Sequence, residues 1–142
     1  MSNGNSREVF LVEGKRTPHA KSGMDLKEVA APFLGAYLVR NILSASQIPA
    51  DGVDEVIFGN TGTPAKYPNV ARVIALEAGL DKKTSAYSVH RNCAAGMQAL
   101  ACGSNQIEAG RSHIVFAGGV ENMTQMPLIY GRVLAILEGG AS

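Results

Sequence analysis

Ser85-Ala86-Tyr87-Ser88-Val89-His90-Arg91-Asn92-Cys93-Ala94-Ala95-Gly96-Met97-Gln98-Ala99-Leu100 is the stretch that decides the fold. Ser85 to Val89 is β-like, and a helical pattern follows after a short turn. This order places Cys93 at or next to the first turn of a helix. The backbone N–H groups there lack intrahelical partners, carry partial positive charge and favour a thiolate. A cysteine nucleophile needs that setting, because the thiolate is the attacking species. Ala94, Ala95 and Gly96 are small and would leave room for an acyl group beside the sulfur. The alternative is a buried small hydrophobe, a common fate of a free cysteine. Position alone leaves both readings of Cys93 open.

Working outward, the apolar runs and breaks alternate. Glu8 to Glu13 reads as a buried strand, ended by Gly14 to Pro18, with a polar loop from Thr17 to Gly23. Asp25 to Ala31 is a separate turn leading into a helix from about Pro32 to Ser46. Proline at the first helical position costs no hydrogen bond. Val53 to Asn60 is the second strand, Gly59 to Pro68 a loop, and Asn69 to Ala78 a helix with Gly79 as its C-cap. Thr84 to Val89 is the third strand, and Cys93 to Glu108 the helix that Gly110 stops. His113 to Ala117 is the fourth strand, which Gly118-Gly119 ends.

Strand and helix in strict alternation predict an α/β fold, with a layered, mostly parallel sheet, helices on both faces and right-handed crossovers. Ligands of such sheets gather at the carboxyl ends of the strands. Cys93 and Gly118-Gly119 both fall there and could share a site. The 142 residues form a single domain, with the tail 128–142 unassigned.

Composition narrows the function. The chain is 46% hydrophobic and 18% charged, which suits a globular protein and argues against disorder. A net charge of +1 and the absence of Trp predict no nucleic-acid partner. No apolar run reaches the about 18 residues of a membrane span, and Met1 to Arg7 carries no apolar signal core. Cys93 and Cys102 on one helix would lie roughly 13 Å apart along its axis, whereas a disulfide needs Cα atoms within about 7 Å. Both thiols are therefore expected to be free, which fits a cytoplasmic location. Cys102 lies mid-helix and reads as core packing. His90 reads as a structural or surface histidine. His19 and His113 have no Cys or carboxylate at ligand spacing, so no metal is predicted. The chain has neither G-x-G-x-x-G nor G-x-x-x-x-G-K-[ST]. Gly118 to Met123 reads, from residues alone, as a tight glycine turn.

Three segments, in order, resemble the thiolase family and together span about Glu8 to Pro127. Arg16-Thr17-Pro18, with Gly23 after it, resembles the loop after the family's first strand. Asn92 to Ala99 resembles the Asn-x-x-Cys-x-Ser-Gly nucleophile motif, with a different spacing to Asn and Ala95 where Ser is common. Gly118-Gly119-Val120-Glu121-Asn122-Met123-Thr124 is similar to Gly-Gly-x-Glu-x-Met-Ser, with Thr124 for Ser. The resemblance implies that Cys93 accepts an acyl group from a CoA thioester, in 3-ketoacyl-CoA thiolysis or acetoacetyl-CoA synthesis. It implies an acyl-CoA substrate, no cofactor and a homo-oligomer. It also implies a second cysteine as acid and base, and histidines that activate the nucleophile. The late Gly-His-Pro and Cys-x-Gly-Gly motifs have no match here, and Cys102 does not stand in for the second cysteine. Family members are well over twice this length, so the chain reads as an N-terminal portion. The runners-up are an inactive folding or oligomerisation unit and a fragment of a ketosynthase-like condensing enzyme.

Overall fold

A computed structural model describes residues 7–126. Its regular elements are helix α1 (Ala31–Ser46), strand β1 (Glu55–Gly59), helix α2 (Val70–Glu77), strand β2 (Ser85–Val89), helix α3 (Ala95–Glu108) and strand β3 (Val115–Gly119). Short 3-10 turns occupy Ala50–Gly52 and Met123–Gln125. The strands form one parallel sheet in the order β2-β1-β3. A parallel sheet needs crossovers and both faces covered, and the three helices supply the cover.

Side-chain alternation sorts the two faces. Val56, Phe58 and Phe116 point into the larger core, built with Ala36 and Val39 of α1 and Val70, Ala71, Ile74 and Ala75 of α2. The opposite face carries Ile57, Gly59, Val115, Ala117 and Gly119, and α3 lies across it. Gly103 of α3 sits over Val115 and Ala117. All five residues of β1 are buried, as the central strand of a covered sheet should be. Glu55 is buried with them and one of its carboxylate oxygens finds no hydrogen-bond partner.

Local chemistry explains the helix limits. Asn69 caps α2 by accepting from the Arg72 amide at 3.1 Å. Gly79 and Gly110, at φ of 84° and 70°, end α2 and α3 in the left-handed conformation that glycine adopts without penalty. Pro32 falls in the first turn of α1, as its missing N–H requires.

Two expectations are corrected. Glu8 to Glu13 is not a strand: among the described residues it joins no ladder, and Phe10, Leu11 and Val12 are exposed. Contacts near its two ends hold it. Arg7 Nη1 donates to His113 Nε2 at 2.9 Å, and Lys15 Nζ to the Asn41 carbonyl at 3.3 Å. A strand is a pairing rather than a composition, and this run has no paired neighbour among the described residues. Gly118-Gly119 also does not end the fourth predicted strand. Both glycines belong to β3, which pairs with β1 through Gly119. The predicted tail 128–142 lies outside the described residues.

Candidate functional site

The carboxyl ends of β1, β2 and β3 converge with the start of α3, and glycine is what lets them meet. A methyl group on Gly59 would lie 2.5 Å from the Ala95 oxygen and the Gly96 nitrogen. One on Gly119 would lie 3.0 Å from the Gly96 Cα. Backbone thus packs directly on backbone, and the first turn of α3 is seated on the ends of β1 and β3. Only residues without a Cβ permit an approach this close.

Cys93 stands just ahead of that seat. Ala94 is the N-cap of α3 and contributes no side-chain cap bond, so Cys93 immediately precedes the cap. Its side chain is exposed and its thiol is free. The buried-hydrophobe alternative for Cys93 is therefore ruled out. Asn92, directly before it, has φ 48°, a left-handed conformation in a non-glycine residue. Asparagine is one of the few non-glycine residues that adopt this conformation readily. His90 is exposed, in line with a surface histidine. Arg91 donates to the Gln98 side chain, and Gln98 Nε2 lies 3.3 Å from Cys102 Sγ. Cys102 is half-buried on α3, beside Tyr87, whose phenol is pushed above its usual range by burial first and by Cys102 second. It is a packing residue, away from the seat.

The Gly-Gly-Val-Glu-Asn-Met-Thr segment is more than a glycine turn. Its polar side chains tie three loops together. Glu121 Oε2 accepts from the amides of Thr61 at 2.9 Å and Gly62 at 2.8 Å, and Oε1 accepts from Asn60 Nδ2 at 3.3 Å and its neighbour's amide, Asn122 N, at 3.1 Å. Asn122 Nδ2 donates to the carbonyls of Leu26, Lys27 and Val29. Thr124 Oγ1 accepts from the Gly23 amide at 2.8 Å and lies 3.3 Å from Ser22 Oγ. The loop after Arg16-Thr17-Pro18 is thereby pinned to the end of β3. Reading by residue type missed Asn60, Thr61 and the role of Glu121. The available signal was an asparagine directly after an apolar strand, where a sheet ends and a loop needs anchoring.

Two shallow cavities flank this segment. One of about 160 Å³ is lined by Thr17, His19, Leu26, Lys27 and Thr124 among others. The other, about 140 Å³, is bordered by Tyr67, Glu121 and Met126. Cys93 lines neither; its thiol is exposed at the surface. Among the described residues no group of three or more His, Cys, Asp or Glu is placed to hold a metal ion. No helix there is long and apolar enough to cross a membrane.

Comparison with known proteins agrees with this arrangement. The family model for the thiolase N-terminal domain matches residues 9–136. An acetyl-CoA acetyltransferase of Syntrophomonas wolfei is 37% identical over 124 residues, covering 87% of this chain and 31% of the relative. A 3-ketoacyl-CoA thiolase of Salmonella paratyphi A is 35% identical over 127 residues, covering 89% and 29%. Among solved structures, the Bacillus anthracis acetyl-CoA acetyltransferase superposes with a TM-score of 0.75 at 34% identity, over 78% of this chain and 28% of that one. An Ascaris suum thiolase in complex with coenzyme A superposes with a TM-score of 0.79 at 28% identity, over 82% and 31%. The chain thus spans about a third or less of the length of these relatives. A parallel sheet with helices on both faces, a cysteine just ahead of α3 and a match of residues 9–136 to the model of the thiolase N-terminal domain lead to one conclusion: the chain belongs to the thiolase family.

Proposed function

We propose that this chain supplies the acyl-accepting half of a thiolase-type acyltransferase, with Cys93 as the nucleophile. The observation that carries the reading is the exposed, free Cys93 immediately before the N-cap of α3, held there by a backbone seat. The Cys93 thiolate attacks the carbonyl carbon of an acyl-CoA. The carbon–sulfur bond to CoA breaks, CoA leaves as its thiolate and takes up a proton, and a Cys93 thioester remains. A second acceptor then takes the acyl group from Cys93. Splitting transfer into two thioester exchanges is ordinary nucleophilic catalysis. The same reading covers 3-ketoacyl-CoA thiolysis and acetoacetyl-CoA synthesis, uses the CoA thioester as substrate and asks for no resident cofactor. A homo-oligomer belongs to it, supported by the outer edge of β2, which pairs with no strand among the described residues, and by the exposed Met97 and Leu100 of α3. A cytoplasmic location is supported by two free thiols.

Intact-mass analysis of the chain incubated with acetyl-CoA tests this. The expected result is one acetyl adduct that Cys93→Ala abolishes and Cys102→Ala leaves in place. No adduct on the wild-type chain, where a full-length relative forms one, would leave the second reading: a thiolase-type domain acting as a folding or oligomerisation unit.

A further inference from the structure

We propose that Thr61 and Glu121 are positioning residues for Cys93, acting through the carbonyl of Asn92. The inference rests on Cys93 being the acyl acceptor and adds how its place is fixed. Asn92 is held left-handed at φ 48°, a conformation that contacts from beyond the turn help to keep. Its carbonyl oxygen accepts two hydrogen bonds. One comes from the Ala95 amide at 3.0 Å, inside the turn itself. The other comes from Thr61 Oγ1, also at 3.0 Å, and reaches across from the loop after β1.

Thr61 can act as a fixed post because its own backbone is clamped. Its amide and that of Gly62 share one oxygen of Glu121, at 2.9 and 2.8 Å. Hydrogen bonds to a carboxylate are among the stronger ones. Buried Asn60 closes the loop from the other side: Nδ2 donates to the Val120 carbonyl at 2.9 Å and Oδ1 accepts from the Thr63 amide at 2.8 Å. The end of β3 therefore fixes the loop after β1, and one hydroxyl of that loop fixes the residue before Cys93. If the hydroxyl is lost, Asn92 is free to relax to a right-handed conformation, and Cys93 turns away from the start of α3.

The test is site-resolved alkylation of the 142-residue chain by iodoacetamide, followed by peptide mass spectrometry from pH 6 to pH 10. Cys102 is the internal standard; because Gln98 ties it to Arg91, its own rate is checked in every variant against added glutathione. Thr61→Val keeps the shape and removes the donor; Thr61→Ser keeps the donor and removes the methyl group. The expected result is that T61V lowers the Cys93-to-Cys102 rate ratio about threefold or more at neutral pH and alters the Cys93 pH profile, while T61S stays within about twofold of wild type. Glu121→Gln, which sets an amide against the Thr61 and Gly62 N–H groups, shifts the ratio in the same direction as T61V. A second variant guards against simple unfolding: in Asn92→Gly the left-handed conformation needs no support, so adding T61V there changes the ratio little. A wild-type ratio in T61V, equal losses in T61S and T61V, or an undiminished T61V effect on the Asn92→Gly background would each overturn the proposal. The ratio is read without any acyl donor, so its failure is separate from failure of the acyl-transfer reading.

Discussion

Two apolar runs of this chain begin alike, as Glu8-Val9-Phe10-Leu11-Val12-Glu13 and Glu55-Val56-Ile57-Phe58-Gly59-Asn60. The second is the central strand, with Ile57 0% and Phe58 6% exposed; the first leaves Phe10 72% and Leu11 84% exposed. Hydrophobicity does not separate them. What separates them is company: β1 has a parallel neighbour on each side and helices over both faces, whereas the first run joins no ladder among the described residues and is tied by contacts near its ends. The glycine at the end of β1 adds a second difference, because it admits the backbone of α3. Burial in a parallel sheet is thus conferred by non-local partners, and a strand-like sequence is only eligible for it.

The largest break in this contrast should come from Gly59→Val. A side chain there collides with the backbone of Ala95, which cannot step aside as a side-chain tip would. We expect a loss of about 3 kcal/mol or more in urea denaturation; a loss under about 1 kcal/mol would show that the α3 seat is soft. Next comes the paired comparison of Ile57→Ala with Leu11→Ala. The buried site should lose about 2–5 kcal/mol from lost burial and a cavity, and the exposed one no more than about 0.5 kcal/mol. Similar losses at both would mean that Leu11 is covered in solution. The smallest effect is electrostatic. Asp54, at the entry to β1, accepts from the amides of His113 at 2.7 Å and Ile114 at 3.1 Å. Those backbone bonds, His113 first, hold its carboxyl below the ordinary value. A lowered folded-state value means that this stabilisation is fully present above the unfolded-state value and is lost as pH falls through the depressed one. Asp54→Asn should flatten the acid limb of the stability–pH curve and leave its alkaline limb unchanged. An unaltered acid limb would remove Asp54 from the account.

Where interactions are local, the sequence is legible. Asn69, Gly79 and Gly110 mark helix ends within a residue or two, because caps and left-handed turns are settled by neighbouring atoms. The strand-turn-helix around Cys93 is likewise legible, since a β-like run, a small-residue turn and a helical pattern follow one another directly. The run 8–13 is not legible in this way, because its outcome depends on partners elsewhere in the chain. Gly118-Gly119 was misread because glycine serves close approach as readily as turning, and only the position of Gly96 tells which. Thr61 and Asn60 were invisible for the same reason: the carbonyl that Thr61 serves belongs to Asn92, in another loop. The nucleophile was legible and its fixings were not.

The glycine seat also sets an order of assembly. Gly59, Gly96 and Gly119 come from three elements far apart in the chain and must arrive together before α3 can settle. Parallel crossovers close large loops before any contact rewards them, so such docking comes late in folding. Until then Cys93 is one thiol among two on an unfinished chain, open to whatever oxidant or electrophile it meets. The reactivity of Cys93 relative to Cys102 therefore reports on the folded chain, since closure of β1, α3 and β3 changes the surroundings of both thiols.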